Sequence, residues 1–386
     1  VSALTVASTT RRDFILQDAR ATLDARHEMF GGRLHQTDGD GSTTPDAFGP
    51  IAFEDHRHSG STVEAHPPIS AESVDERENE GVIGRFAPSP TGPLHVGNLR
   101  TALIAWLHAR SGGGEMVVRI EDLDRANSSR QNEERQLAAL AALGLDHEPV
   151  TVRQSERFDH YRDVIADLRR RDLVYECYCT RREIREAVNA PHEHEVRYPG
   201  TCRELTARQR SERIDSGRPP ALRLRTDTVA YVVDDVIAGA TTSPVDDFVL
   251  QRNDGVPAYN LAVVVDDAHQ RVDEVVRGDD LLASTGRQMH LQHLLGFSTP
   301  MYAHVPLVLG PDGERLAKRH GAVTLDDLAE RGIDAVAVLR VLARSIGLNA
   351  DTAITAADLV DEFRTSLVPK VGWIIPVDWQ TERHVR

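Results

Sequence analysis

The run Ser89-Pro90-Thr91-Gly92-Pro93-Leu94-His95-Val96-Gly97-Asn98 lies where a strand pattern hands over to a helix pattern. Phosphates favour such junctions, because unpaired backbone N–H groups and the helix dipole point at them. Gly97 lets a nucleotide approach the backbone, and His95 can donate a hydrogen bond to a phosphoryl oxygen in transfer. A lone His-x-Gly carries little weight, since a turn histidine has the same signature. A second group of the same chemical kind lies far along the chain, in Gly313-Glu314-Arg315-Leu316-Ala317-Lys318-Arg319. Of 45 basic residues only Lys318 and Lys370 are lysine. The composition uses arginine wherever a positive charge suffices, so a surviving lysine is a candidate for work that needs a compact ammonium.

The three cysteines form a third group: Cys177-Tyr178-Cys179 and, after a spacer rich in Arg and Glu, Tyr198-Pro199-Gly200-Thr201-Cys202. Clustered thiols in a chain read as cytosolic point to metal before disulfide. Three thiolates need a fourth zinc ligand, and the spacer holds two generic candidates, His192 and His194.

These residues need elements to hold them. Val82–Phe86 reads as a buried strand, Asn98–Arg110 as a helix (Leu99, Leu103, Trp106, Leu107) ended by Gly112-Gly113-Gly114, and Met116–Ile120 as a strand. Strand, turn, helix, strand is a βαβ unit that opens a doubly wound parallel sheet. Further helices are expected at Glu133–Leu143 and Phe158–Arg170. A strand-rich stretch runs from Ala221 to Val265 with a turn at Asn253-Asp254-Gly255, followed by helices at Arg287–Leu295 and Leu325–Ile346. No internal repeat is visible.

The chain of 386 residues can bury one sizeable core or two modest ones, and no apolar run approaches membrane-spanning length. Thr10-Arg11-Arg12 superficially looks like an export signal, but Gln17, Asp18, Arg20, Asp24 and Arg26 follow where an apolar stretch is required; we read the protein as cytosolic. The net charge of −15 is uneven. Residues 1–80 carry 15 acidic and 7 basic side chains, whereas Arg157–Asp227 carries 16 Arg against 13 acids. That local excess is weak support for a phosphate-facing surface. Residues 1–80, rich in Gly, Ser, Thr, Pro, Asp and His from Gly31 on, are expected to be disordered apart from a short helix over Arg12–Met29; His56, His58 and His66 are read as part of the polar tract rather than as a metal site.

Four blocks follow in order: Arg85-Phe86-Ala87-Pro88-Ser89-Pro90-Thr91-Gly92, His95-Val96-Gly97-Asn98, Arg100-Thr101-Ala102-Leu103 and Arg119-Ile120-Glu121-Asp122-Leu123-Asp124. Together they resemble the glutamate-specific branch of the class I aminoacyl-tRNA synthetases. Its "HIGH" signature falls on His95-Val96-Gly97-Asn98, and its "KMSKS" loop on the segment around Lys318, with Arg315 replacing the first lysine. The resemblance implies His95 and Lys318 as catalytic residues, and His95, Gly97, Asn98, Arg315 and Lys318 as the ATP site, with Mg2+ accompanying the nucleotide. It implies a glutamate pocket of Arg85, Ser89, Glu121 (toward the ammonium), Tyr259 and Arg277. Glutamate carries two carboxylates and an ammonium, so these residue types suit the ligand. The resemblance also implies one structural zinc on Cys177, Cys179, Tyr198 and Cys202, with Tyr198 set against His192 or His194 as fourth ligand.

The resembling stretch runs from Gly81 to Gly347. The fold it implies is a Rossmann-like doubly wound sheet (81–175 and 227–322) with a zinc-binding insertion (176–226) and a short helical C-terminal segment (323–386). The residues after Arg319 are expected to be too few for the helical anticodon-binding domain of a full glutamyl-tRNA synthetase. This shortened architecture, with Cys-x-Cys, Tyr-x-x-x-Cys and Arg-Leu-Ala-Lys-Arg, resembles the glutamyl-queuosine tRNA(Asp) synthetases, which activate glutamate without tRNA and esterify the queuosine base of tRNA(Asp). The partners implied are ATP, L-glutamate and tRNA(Asp) carrying queuosine, with no membrane and a monomeric enzyme. The alternatives are a truncated glutamyl-tRNA synthetase charging tRNA 3′ ends, a non-catalytic tRNA-binding module, and a small-molecule nucleotidyl-transfer enzyme. The joint presence of His95, Glu121 and Lys318 argues against the second, and the pocket residues against the third.

Overall fold

The computed structural model describes residues 81–149, 152–188, 197–316 and 324–376. Lys318, His192, His194, the expected helix over Arg12–Met29 and the whole of residues 1–80 lie outside these.

Strand β1 (Ile83–Phe86) runs into helix α1 (Val96–Ser111) and returns through β2 (Glu115–Ile120), parallel to β1. Helix α1 is apolar around most of its circumference, and Leu99, Leu103, Trp106 and Leu107 are all buried, as suits a helix enclosed by protein on both sides. It lies against β1 and β2, and helix α9 (Ala335–Arg344) covers it from outside. Helix α2 (Arg130–Ala142), capped by Ser129, leads to the short β3 (Val152–Arg153), and helix α3 (Phe158–Arg170) completes the first half.

A three-stranded antiparallel sheet follows, built from β4 (Val174–Cys177), β5 (Ala221–Leu224) and β8 (Val249–Gln251) in that order. Between its strands lie α4 (Arg181–Val188), α5 (Ala207–Asp215) and the hairpin of β6 (Ala230–Asp235) and β7 (Gly239–Pro244). The main chain then passes through α6 (Tyr259–His269), β9 (Glu274–Gly278), α7 (Thr285–Leu295) and β10 (Met301–Val305). The principal sheet has the order β3-β2-β1-β9-β10-β6-β7, parallel throughout except between β6 and β7. Strand order reverses between β1 and β9, so the crevice at their C-terminal ends is the place where such sheets bind ligands.

Two expected elements differ. The strand-rich stretch ends at Gln251; Gly255, at φ +82°, closes a turn, and Tyr259–His269 is helical. Val263, Val264 and Val265 are β-branched, yet they sit in a helix buried on nearly every side, which erases the periodicity a sequence reading needs. The single helix expected over Leu325–Ile346 is two, α8 (Leu325–Ala329) and α9. Gly332, at φ +78°, ends the first, and the Asp334 carboxylate caps the second by accepting from Ala337 N at 2.8 Å. Beyond α9 the segment closes on β12 (Trp373–Ile374), paired in parallel with β11 (Val308–Leu309).

Candidate active site

His95 is the N-cap of α1. Its Nδ1 accepts from Gly97 N at 3.0 Å, and Asn98 Oδ1 accepts from His95 N at 3.2 Å. A ring nitrogen that accepts from a backbone N–H carries no proton, so neutral His95 bears its proton on Nε2. Burial, with the nearby Arg315 charge adding to it, holds the imidazole below its ordinary pKa. His95 is thus a neutral donor at the positive end of a helix. The Asn98 carbonyl is spent on the cap, which leaves its amide Nδ2 for a ligand. Gly97 has to be small: a Cβ there would lie 2.9 Å from His95 Cε1.

The preceding loop is held from behind by α2. The Gln136 amide donates to Ser89 O (3.0 Å) and Gly92 O (2.6 Å), and Asn132 donates to Pro90 O (3.2 Å). Ser89 is exposed on this loop. Opposite, β11 leads into a tight turn closed by Gly310 N to Glu314 O at 2.7 Å, with Leu309 bridged to Arg315. Arg315 pairs with Asp280 at 2.8 Å, just beyond the end of β9. The hairpin that carries the lysine segment is thereby tied to the ligand end of the principal sheet.

Arg85, Glu121, Tyr259 and Arg277 converge on the β1/β9 crevice, close enough for their charges to act on one another. Arg85 is buried; it donates to Val276 O at 2.9 Å, and its Nε has no hydrogen-bond partner among the described residues. Glu121 accepts from Arg119 Nη2 at 3.2 Å; burial pushes its carboxyl up, against the pull of Arg119 and Arg85. Tyr259 receives a long bond of 3.4 Å from Arg277 Nη1. Arg277 is 4% exposed and is held by neutral groups: His304, Gln288, Thr285 and Tyr259. Among the described residues no carboxylate lies within ion-pair distance of it.

Residue types alone did not single out the supports of this pocket. Arg119, fully buried, ties Glu121 to Asp267 (2.7 Å), and Asp266 gathers Arg157 (2.7 Å), Tyr161 (2.7 Å) and Gln154 (3.1 Å). Both aspartates sit in α6. Arg119 lies in the Arg-Ile-Glu-Asp block, where its spacing to Glu121 is the one signal it offers; Asp266 and Asp267 carry no sequence signal beyond being acids in an apolar run.

The cysteines come together at the end of β4. The sulfurs of Cys177, Cys179 and Cys202 lie within 4.8 Å of one another and could hold a metal ion. The Tyr198 hydroxyl is 3.3 Å from Cys177 Sγ and 3.8 Å from Cys179 Sγ, and accepts from Cys202 N at 2.8 Å. The Cys202 hydrogen bond, followed by the Arg223 charge and the Tyr198 hydroxyl, holds the Cys177 thiol well below the usual range despite burial. Three sulfurs and one phenolic oxygen around a point fit a closed four-ligand site. Between Arg157 and Asp227 much of the positive charge is already paired: Arg203 with Asp247 and Asp227, Arg218 with Glu183, Arg225 with Glu204, Arg169 with Glu176.

A doubly wound sheet split by a cysteine-bearing insertion, with His-x-Gly opening the first helix and a hairpin tied across the same crevice, is the arrangement expected of a class I synthetase catalytic domain. Residues 81–375 match the family described as tRNA synthetases class I (E and Q), catalytic domain, and the chain belongs to that family. It is similar to the glutamyl-Q tRNA(Asp) synthetase of Nocardia farcinica, 53% identical over 295 residues that cover 76% of this chain and 93% of that protein. The enzyme of the same name from Cutibacterium acnes is 54% identical over 268 residues, covering 69% and 76%. Among solved structures, a glutamate tRNA ligase from Elizabethkingia meningosepticum, in complex with its amino acid, superposes with a TM-score of 0.66 at 27% identity, covering 79% of this chain and 70% of that one. Among the described residues no helix is long and apolar enough to cross a membrane.

Proposed function

We propose that the protein activates L-glutamate with ATP in the absence of tRNA and then transfers it to the queuosine base in the anticodon of tRNA(Asp). The single observation that carries the amino-acid half is Arg277, a buried cation whose partners among the described residues are all neutral. A buried charge without a counter-ion is costly, and a substrate carboxylate supplies one. Arg85, whose Nε makes no hydrogen bond among the described residues and lies 3.9 Å from Asp267 Oδ1, is a second carboxylate donor, and Glu121 is the anion for the ammonium. Tyr259, beside Arg277, and the exposed Ser89 complete the pocket. The names carried by relatives more than 50% identical support the acceptor half.

In the first step a glutamate carboxylate oxygen attacks the α-phosphorus of ATP, the bond to the β-phosphate oxygen breaks, and pyrophosphate leaves. His95 Nε2–H donates to the phosphoryl oxygen, Gly97 and Asn98 border the nucleotide, and Arg315 and Lys318 balance the charge of the departing pyrophosphate. Mg2+ accompanies the ATP phosphates. In the second step a hydroxyl of the queuosine base attacks the adenylate carbonyl, the acyl–phosphate C–O bond breaks, and AMP leaves with the hydroxyl proton passing to its phosphate. Cys177, Cys179, Cys202 and Tyr198 would hold a zinc ion that ties the 176–226 insertion together; with four protein ligands it would have no open position and its role would be structural. On this reading the enzyme works as a cytosolic monomer.

ATP–pyrophosphate exchange without tRNA tests the activation step. Exchange should require glutamate, fail with glutamine or aspartate, and fall by about tenfold or more in Lys318→Ala, the loss of one charge contact. Equal exchange with glutamine, or none with glutamate, overturns the reading.

A further inference from the structure

Three neutral side chains hold the guanidinium of Arg277. Its Nε–H donates to His304 Nε2 at 3.0 Å, Nη1 to Gln288 Oε1 at 2.7 Å, and Nη2 to Thr285 Oγ1 at 2.9 Å. His304 is completely buried, and its Nδ1 lies 2.6 Å from Asp235 Oδ2. Asp235 also accepts from the backbone N–H of His304 (3.0 Å), Ile237 (3.0 Å) and Ala238 (2.7 Å). Those bonds, His304 first among them, hold the Asp235 carboxyl below its usual range against the effect of burial. The three residues stand on three adjacent strands, β6, β10 and β9, with His304 directly in register with Arg277.

This row fixes a proton. A carboxylate that accepts so many bonds stays ionised, so the proton shared with the imidazole sits on His304 Nδ1. Nε2 is then a bare lone pair, as the Nε–H of Arg277 requires; the other tautomer would set N–H against N–H across 3.0 Å. Burial keeps the ring neutral, and the charge of Arg277 works in the same direction. A neutral acceptor orients the guanidinium without cancelling its charge. A carboxylate at the same point would orient it equally well and would neutralise it, leaving nothing for a substrate anion.

We infer that Asp235 and His304 are positioning residues for the amino-acid pocket: the carboxylate sets the imidazole tautomer, and the imidazole holds Arg277 with its full charge directed at the substrate carboxylate. This deepens the proposed function and rests on it. The test uses the full chain in ATP–pyrophosphate exchange, with KM measured separately for glutamate and for ATP, and melting temperature recorded alongside. Asp235→Asn is nearly isosteric, but its amide can donate to Nδ1 and so drive the proton to Nε2. The KM for glutamate should rise about tenfold or more while that for ATP stays within about twofold, as for one lost charge-assisted contact in the pocket. His304→Leu should do the same. His304→Gln, which returns a neutral acceptor oxygen, should recover most of the loss. The inference is overturned if the two KM values rise together in Asp235→Asn, if the glutamate KM does not move, or if His304→Gln is no better than His304→Leu. A wild-type chain without glutamate-dependent exchange overturns the proposed function itself; normal wild-type exchange with unmoved variants overturns only the positioning role.

Discussion

Gly97→Ala isolates what the geometry of the α1 start is for. The added Cβ would lie 2.9 Å from His95 Cε1 and 3.1 Å from Nδ1, while Val308 Cβ stands at 3.6 Å. The imidazole therefore has to swing away, breaking the 3.0 Å bond from Gly97 N and re-aiming Nε2–H. Losing an N-cap bond costs about 0.5–2 kcal/mol, and replacing Gly by Ala inside a helix returns about 1 kcal/mol, so stability should change by no more than about 1 kcal/mol. Removing one preorganised donor from a reacting phosphate costs about 10²–10³-fold in rate. The variant should thus melt almost like wild type yet lose about two orders of magnitude in glutamate-dependent exchange. A double-mutant cycle separates the two ways this could happen. If Ala acts by displacing His95, it should cost little in a His95→Ala background. The reasoning fails if Gly97→Ala is equally damaging with and without the histidine, for the methyl would then be obstructing the nucleotide directly.

Further predictions concern the insertion and the N-terminal residues. Protein purified without chelator should carry about one zinc per chain, lost in Cys202→Ser and weakened in Tyr198→Phe, as metal analysis after dialysis will read; full retention in Tyr198→Phe with loss in His192→Ala would move the fourth ligand into the spacer. A chain starting at Glu80 should keep its exchange rate and its melting temperature, since the family match begins at residue 81; a large loss of either would assign residues 1–80 a part in the catalytic domain.

Much of the site was legible because its residues are local in sequence. The β1–α1–β2 unit carries Arg85, His95, Gly97 and Glu121 in one run, and strand-to-helix junctions announce themselves through turn residues and the onset of a helical period. The cysteine cluster was legible for another reason: the chain has only three cysteines, so their proximity in sequence had few readings. What was not legible is held together across the fold. His304 is 69 residues from Asp235 and 27 from Arg277, and only the pairing of β6, β10 and β9 brings them into one row. Asp267 lies 148 residues from Arg119. Helix α6 looks like strand in sequence because a helix buried on nearly all sides keeps no amphipathic period, and Gly332, at φ +78°, marks the break between α8 and α9 only once its backbone conformation is known.

The proposal as a whole turns on which acceptor receives the activated glutamate. Purified enzyme should be given radiolabelled glutamate, ATP and tRNA(Asp), with and without queuosine, and in parallel tRNA(Glu). The expected result is label on queuosine-containing tRNA(Asp) alone, recovered in the anticodon fragment after nuclease digestion. Label at the 3′ end of tRNA(Glu), or on tRNA(Asp) that lacks queuosine, would contradict it.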